Sequence, residues 1–260
     1  MSNKYKYSVL CFIVNDYEIV REIENKDDNV EYILVTDNKE LKSNTWNVVY
    51  DKDLENMLPF EKCCNIKYNL FKYITTNICI YIDASIKIKD SLDQLVNDFN
   101  ASNSDIALLS HPTISTFVPE LQLWVKLRNY SYINANKFLD FLYSVNYDLN
   151  YQSHFQSGLS IRKNTKFTND FQRLVLSHMY FISDENNFDK IDQLMQDFVL
   201  NTYFNTKNIF LLSLQCLNSK SLQIYKHNSN EINELDIKYN LTYTEYAYCF
   251  NQPKECYYIK

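Results

Sequence analysis

The sequence predicts an α/β protein: a single domain over residues 1–260, with a mixed, mostly parallel central sheet flanked by helices. Short apolar runs alternate with helical patterns along the chain, at the spacing of strand–helix–strand units. One of these runs, Ile78–Ile82, is a nearly continuous apolar stretch, which is typical of a central strand buried on both faces. A hydrophobic content of 46% supplies the core that one large domain needs.

Apolar periodicity predicts the elements in chain order. Continuous or alternating apolar runs indicate strands, and apolar residues at helical spacing indicate helices. The predicted strands are Tyr7–Val14, Val30–Val35, Thr45–Tyr50, Ile78–Ile82, Ile106–Leu109, Phe155–Ile161, Ile209–Leu214, Leu222–Tyr225 and Tyr243–Phe250. The predicted helices are Asp16–Glu24, Phe60–Tyr73, Ser91–Phe99, Glu120–Arg128, Asn136–Val145, Asp170–Tyr180 and Lys190–Asn201.

The charge and hydropathy of the chain exclude several classes of protein. A net charge of −6 gives no basic excess for displacing counterions from phosphates, so we expect no nucleic-acid partner. No run reaches the roughly 18 apolar residues of a membrane span. The apolar run near the N-terminus predicts a first strand and not a signal peptide. We therefore expect a soluble, cytoplasmic protein, with peripheral contact to a membrane left open.

Cysteine and glycine usage narrows the chemistry further. The seven cysteines are scattered without a CxxC pair, which favours buried free thiols over disulfides or a zinc site. Gly158 is the sole glycine. A Walker loop and a dinucleotide-binding GxGxxG motif both need several glycines, so a nucleotide would have to be held by side chains or a metal.

Polar groups follow three of the predicted strands. They are Thr36 with Asp37, Asp83 with Ser85, and Ser110 with His111. The carboxyl ends of parallel strands lie on one edge of a sheet, where open α/β proteins bind their ligands. Each group alone is more often a turn or helix-capping residue, but the convergence of three favours a crevice centred on Asp83.

Several short motifs follow one another in a specific order. In chain order they are Val35-Thr36-Asp37-Asn38, Trp46, Lys67, Tyr81-Ile82-Asp83-Ala84-Ser85-Ile86-Lys87-Ile88, Ser110-His111-Pro112, Gln156-Ser157-Gly158-Leu159, Arg162 and Ile191-Asp192-Gln193-Leu194. This order resembles a glycosyltransferase-like family of GT-A type, known from plant and bacterial proteins and called hexosyltransferase-like in plants. The resemblance covers Tyr32–Leu200. It implies transfer of a sugar from a nucleotide-sugar donor to a glycan or glycoconjugate acceptor, as in polysaccharide biosynthesis.

The resemblance also divides the chain and gives Asp83 a role. The nucleotide-sugar half would span 1–115, the acceptor side 116–217, and a Tyr-rich tail 218–260. Asp83 matches the first aspartate of an Asp-x-Asp motif, where Mn²⁺ or Mg²⁺ bridges the carboxylate and the donor diphosphate. Ser85 stands in place of the second aspartate, and a neutral hydroxyl is a poorer ligand, so metal binding is left open.

Further donor contacts are implied by the same motifs. Thr36 and Asp37 would contact the nucleoside, Lys67 would pair with the diphosphate as a point charge, and His111 would contact phosphate or sugar. The structural alternatives are a solvated helix lysine for Lys67 and a turn residue for His111.

On the acceptor side the resemblance implies contacts to the acceptor or the transferred sugar. The residues concerned are Gln156, Gly158, Arg162 and Gln193. Gly158 would let the backbone approach the sugar closely, with a bulge or turn glycine as the alternative. Asp192 would act as general base toward the acceptor hydroxyl, with Glu120 as a second candidate. Asp192 could equally be a helix N-terminal residue favoured by the macrodipole.

Two other classes of protein stay open as alternatives. One is a catalytically inactive nucleotide- or sugar-binding relative, in which Asp83-Ala84-Ser85 is a degenerate metal motif. The other is a nucleotidyltransferase on a similar sheet, although such enzymes normally use a glycine-rich phosphate loop that this chain lacks.

Overall fold

The computed structural model describes residues 4–110, 117–128, 131–150, 155–183, 188, 190–204 and 208–231, with only the backbone at 123, 124, 127 and 128. The strands are β1 (Ser8–Ile13), β2 (Glu31–Thr36), β3 (Asn47–Tyr50), β4 (Ile78–Ile82), β5 (Ile86–Ile88), β6 (Ile106–Ser110), β7 (Phe155–Lys163), β8 (Ile209–Leu212) and β9 (Leu222–Ile224). The helices are α1 (Pro59–Lys67), α2 (Asp93–Ala101), α3 (Phe117–Arg128), α4 (Tyr132–Ser144), α5 (Lys166–Ile182) and α6 (Asp192–Tyr203).

Seven strands form one mixed, mostly parallel sheet, as the sequence predicts. Their order is β3-β2-β1-β4-β7-β6-β8. Strand β7 is antiparallel to both of its neighbours, β4 and β6, while the other pairings in this sheet are parallel. The amino end of β7 therefore lies at the edge where the parallel strands have their carboxyl ends. Strands β5 and β9 pair separately, as a two-stranded antiparallel sheet.

Helices cover both faces of the central sheet. Because side chains alternate along a strand, Val9 in β1 packs toward α2 and the small sheet, whereas Leu10 packs toward α1. Ile106 and Leu108 of β6 lie in a third cluster, which they share with helices α3 to α6. The central strands are buried on both faces, in agreement with their continuous apolar sequences.

The prediction of a helix over 16–24 is wrong. Residues 14–30 contain no helix, and the segment is a loop. Asn15 and Asp16 both have left-handed backbone conformations, with φ of 52° and 51°. A right-handed α-helix cannot include residues in this conformation. The predicted helix over 60–73 also ends early: α1 stops at Lys67, and a 3₁₀ turn follows at Leu70–Lys72. The predicted strand over 243–250 lies outside the described residues.

Two further expectations concern the thiols and the membrane. The five cysteines in the described part of the chain are all free, but only Cys11, Cys64 and Cys79 are also buried, as predicted. Cys63 and Cys216 are partly exposed, and Cys249 and Cys256 lie outside the described residues. Among the helices described, none is long and apolar enough to cross a bilayer.

Candidate active site

Asp83 lies at the carboxyl edge of the sheet, immediately after β4. Its backbone N–H donates to the carbonyl of Gly158 at 2.8 Å, and its own carbonyl accepts from the N–H of Ile86 at 2.9 Å, which closes a tight turn. The buried hydroxyl of Tyr81 donates to Asp83 Oδ1. Residues i and i+2 of an extended chain point to the same side, so Tyr81, in β4, can orient the half-buried carboxylate of Asp83 just beyond the strand.

The sole glycine leaves room for this carboxylate. A Cβ atom placed on Gly158 would lie 3.0 Å from Asp83 Oδ2, tighter than side chains normally pack. Gly158 does not have a positive φ, so its role is close approach and not backbone conformation. The pairing of β6 with β7 shifts register in this stretch, between Gln156 and Ser160, as at a bulge.

Lys67 and Asp192 form a buried ion pair beside the same edge. Lys67 Nζ is 2.9 Å from Asp192 Oδ2, and both side chains are less than a tenth exposed. Lys67 Nζ also lies 5.3 Å from the centre of the Tyr81 ring. Burial alone would lower the pKa of Lys67, but Asp192 and Asp83 outweigh it and raise the pKa above its ordinary value. The ammonium is therefore held in its charged form, in contact with Asp192.

The second candidate base, Glu120, reaches the same helix end. Asp192 is the first residue of α6, and Gln193 follows it. Gln193 Nε2 donates to Glu120 Oε1 at 3.4 Å, and Glu120, on α3, is 4% exposed. The fold thus brings the Asp192-Gln193 pair and Glu120 together from elements far apart in sequence.

Asp37 is engaged in a separate ion pair at the ends of β1 and β2. Its Oδ2 lies 2.6 Å from Lys62 Nζ, and its Oδ1 accepts from the backbone N–H of Asn15 at 2.9 Å. Burial would raise the pKa of Asp37, but the hydrogen bonds from Lys62 and Asn15 outweigh it, so the pKa lies below its ordinary value. Thr36 is fully buried, and its hydroxyl accepts from the N–H of Asn38. Sequence reasoning missed Lys62, for which the sequence carries no special signal.

Arg162 is not brought to this edge. It pairs with Cys79, near the amino end of β4, and its side chain is fully buried. The guanidinium donates to the carbonyl of Lys67 at 2.7 Å and to Gln172 Oε1 at 3.1 Å, and burial lowers its pKa. A side chain with no exposed surface cannot contact an acceptor sugar, and the guanidinium of Arg162 instead binds the carbonyl at the C-terminal end of α1.

The remaining predicted residues are Ser85 and His111. Ser85 is 5% exposed, and its carbonyl accepts from the N–H of Tyr225 at 2.8 Å. This contact joins the Asp83 turn to the segment that directly follows β9. His111 lies outside the described residues.

The residues around Asp83 fit a metal ion that arrives with a diphosphate. Within the described ranges, no three His, Cys, Asp or Glu side chains are grouped as a metal site. Mg²⁺ is commonly bound by one or two protein carboxylates and completed by substrate phosphates and water. Asp83 can supply one such carboxylate, with the space left by Gly158 beside it.

No protein-family model matches the chain, and no curated protein is similar to it in sequence. Its fold is similar to several solved glycosyltransferases. The bifunctional glycosyltransferase WbbM has a TM-score of 0.49 at 11% identity, over 81% of this chain and 39% of that one. Mouse xyloside xylosyltransferase 1 has a TM-score of 0.42 at 10% identity, over 79% and 84%. Core-mannan synthase A of Aspergillus fumigatus, in its Mn/GDP form, has a TM-score of 0.43 at 9% identity, over 81% and 73%.

Proposed function

We propose that this chain is a glycosyltransferase of GT-A type, which transfers a sugar from a nucleotide-sugar donor to a hydroxyl of a glycan or glycoconjugate. One observation carries this function: the Asp83 carboxylate stands at the carboxyl edge of the sheet, oriented by Tyr81 and given room by Gly158. The motif order around Asp83, with its resemblance to GT-A transferases, makes the donor diphosphate the natural group for that carboxylate to face.

On the donor side, Asp83 would hold Mn²⁺ or Mg²⁺ together with the diphosphate. Such an ion neutralises the charge that develops on the leaving nucleotide. The ammonium of Lys67 lies over the ring of Tyr81, whose hydroxyl binds Asp83, and adds a preorganised positive charge. Thr36, Asp37, Ser85 and His111 are the further donor contacts in this proposal.

On the acceptor side, Gln156, Gly158 and Gln193 would contact the sugars. The acceptor oxygen bonds to the anomeric carbon while the bond from that carbon to the diphosphate oxygen breaks. The hydroxyl proton passes to the carboxylate of Asp192 or Glu120, and the nucleoside diphosphate leaves. A base of this kind is required only where direct displacement inverts the anomeric centre.

Thermal shift against a panel of nucleotide sugars, each with and without Mn²⁺, tests the function. We expect stabilisation by one nucleoside diphosphate, stronger with Mn²⁺, and hydrolysis or transfer of the corresponding sugar. Asp83→Asn should remove turnover and leave the fold intact. Asp98→Asn is the matched control, because Asp98 is an exposed carboxylate on α2. Activity that survives Asp83→Asn unchanged would place the site elsewhere.

An inactive nucleotide- or sugar-binding relative is the second candidate function. Its support is Ser85 in the place of a second carboxylate. This alternative predicts a thermal shift with a nucleotide sugar but no hydrolysis and no transfer.

For an active enzyme, Asp192→Ala should strongly reduce transfer, and a wild-type rate would reject Asp192 as base.

A further inference from the structure

A buried ion pair lies in the loop between β1 and β2, outside the candidate active site. Arg21 Nη2 is 3.3 Å from Glu18 Oε1, and the two side chains are 5% and 0% exposed. Removing charged groups from water is costly unless they are fully hydrogen-bonded. The hydrogen-bonding partners of Arg21 and Glu18 therefore explain why two charges are buried here.

Arg21 joins two distant parts of the chain. Its Nε donates to the carbonyl of Ala84, in the Asp83 turn, at 3.1 Å. Its Nη2 donates to the carbonyls of Lys226 and Ser229, at 3.3 and 2.8 Å. The guanidinium also stacks over the ring of Tyr225, 4.4 Å from its centre. One side chain thus bridges the Asp83 turn and residues 225–229, which we call the clamp segment.

Glu18 holds the same segment from the other side. Its Oε1 accepts from the backbone N–H of Asn228 at 2.9 Å, and its Oε2 lies 3.0 Å from His227 Nδ1. The clamp segment adds a backbone contact of its own, because the N–H of Tyr225 donates to the carbonyl of Ser85. Three stretches of chain, around residues 18–21, 84–85 and 225–229, therefore meet at one buried pair of charges.

We propose that Arg21 and Glu18 are positioning residues, which seat the clamp segment against the Asp83 turn and so set how that turn presents its carboxylate to the donor. This inference rests on the proposed function, although neither residue touches the donor. Besides the bonds from Tyr81 and Ile86, the Asp83 turn is supported on two sides: by the backbone bond to Gly158 on the β7 side, and by the contacts of Ala84 and Ser85 with Arg21 and Tyr225 on the clamp side. Loss of the second support leaves the central sheet intact but frees the turn to move.

Arg21→Lys is the central test variant. A lysine keeps the positive charge that neutralises Glu18, but it lacks the fork of nitrogens that reaches Ala84 and the clamp segment together. Lys87→Met is the matched control, because it removes an exposed ion pair, with Glu24, directly after the same turn. Glu18→Gln is the second variant, since it keeps a hydrogen-bonding side chain at the other end of the pair.

Two readouts are measured on the full chain: amide hydrogen exchange by peptide, and the donor KM against kcat. In Arg21→Lys we expect faster exchange in peptides covering 222–231, with unchanged exchange in β1, β2 and β4. We also expect a donor KM raised by about 10- to 100-fold, as for other residues that orient a ligand-binding group, with a smaller change in kcat. Glu18→Gln should act in the same direction, and Lys87→Met in neither readout.

The outcomes separate this inference from the proposed function. Exchange in 222–231 that matches the wild type in Arg21→Lys overturns the clamp. Faster exchange with an unchanged donor KM overturns the positioning role and leaves a purely structural contact. A wild-type chain that uses no donor of the panel overturns the proposed function, while the exchange readout still decides whether Arg21 holds the segment.

Discussion

Helix α1 carries two buried lysines, and their ion pairs differ in what they connect. Lys62 pairs with Asp37 at 2.6 Å and Lys67 with Asp192 at 2.9 Å, and all four side chains are about a tenth exposed or less. The first pair is local: Lys62 also donates to Asn15 Oδ1 at 3.0 Å, so the contact closes over the ends of β1 and β2. The second reaches α6, 125 residues along the chain, and shares its charge with Asp83.

Under the proposed function, the Lys67 pair serves turnover, whereas the Lys62 pair holds the loop ends and the Asp37 donor contact. A buried ion pair by itself contributes little net stability, because desolvation offsets the attraction between the charges. Lys62 binds Asp37 and Asn15, and so holds together the loops that follow β2 and β1. The Lys67 pair links the helical layer to the candidate active site, so its charge should matter for turnover as well as for folding.

The largest expected effect is on stability, and it should be common to both pairs. Lys62→Met or Lys67→Met leaves a buried carboxylate unpaired, which should lower the free energy of unfolding by about 3–5 kcal/mol in either case. The double variants Lys62→Met/Asp37→Asn and Lys67→Met/Asp192→Asn should recover much of the loss, because no uncompensated charge remains. Urea unfolding of the four variants measures this, and a double variant as unstable as its single parent would contradict it.

The second effect should distinguish the pairs. Lys67→Met/Asp192→Asn, which keeps the fold, should lower kcat/KM for sugar transfer by about 100-fold, because the preorganised charge of Lys67 and the candidate base Asp192 are both lost. Lys62→Met/Asp37→Asn should lower it far less and act through the donor KM. Steady-state kinetics on both double variants decides this, and equal losses in kcat would remove the distinction.

A smaller effect is expected from Gly158→Ala. The added Cβ would lie 3.0 Å from Asp83 Oδ2 and displace a carboxylate that Tyr81 also holds. Because small displacements of reacting groups are costly, we expect kcat/KM to fall by about tenfold. The free energy of unfolding should change by no more than about 1 kcal/mol, as the backbone conformation suits alanine. Unimpaired turnover in a folded Gly158→Ala protein would show that the space beside Asp83 is not used.

The pH dependence of stability should show the smallest effects, at opposite ends of the scale. The pKa of Asp37 is lowered by folding, so its contribution is present above the ordinary carboxyl value of 3.8 and is lost as the pH falls through the lower folded value. Asp37→Asn should therefore flatten the acid limb of a stability–pH profile. An acid limb as steep as that of the wild type would contradict the assignment.

The Lys67–Asp192 pair should contribute to the alkaline limb of the stability–pH profile. Folding raises the pKa of Lys67, so its contribution is complete below the ordinary lysine value of 10.5 and is lost as the pH rises through the higher folded value. Lys67→Met/Asp192→Asn should flatten this limb and leave the acid loss due to Asp37 in place. Unfolding free energies measured from pH 9 upward, against the Lys62→Met/Asp37→Asn control, test this.

The sequence predicts the elements better than it predicts which side chains meet. Strand-end polarity correctly brings Asp83 to the edge of the sheet, because burial on both faces marks β4 so clearly. The prediction that Arg162 reaches the site is wrong because of the direction of β7. Arg162 lies four residues beyond Gly158 on this strand, about 13 Å away from the edge that holds Asp83. Periodicity cannot reveal that β7 runs antiparallel, since a strand has the same period in either direction.

The buried charges were harder still to predict. Glu18 and Arg21 occupy a segment that has helical apolar spacing, and several of their partners are backbone carbonyls and N–H groups more than 200 residues away. Backbone groups carry no sequence signal. The left-handed conformations of Asn15 and Asp16, which end the helical interpretation, are compatible with Asn and Asp but are not required by them.

The position of β7 has a consequence for how the chain folds during synthesis. Strands β4 and β6 leave the ribosome first, yet they lie on either side of β7 and pair with it, not with each other. Until residues 155–163 emerge, both strands present unpaired edges, which are prone to intermolecular pairing. Contacts of such long sequence separation also form slowly. A nascent chain stalled before residue 155 should therefore be a strong client for chaperones, and one released after residue 212, when β7 and β8 have both paired with β6, a much weaker one.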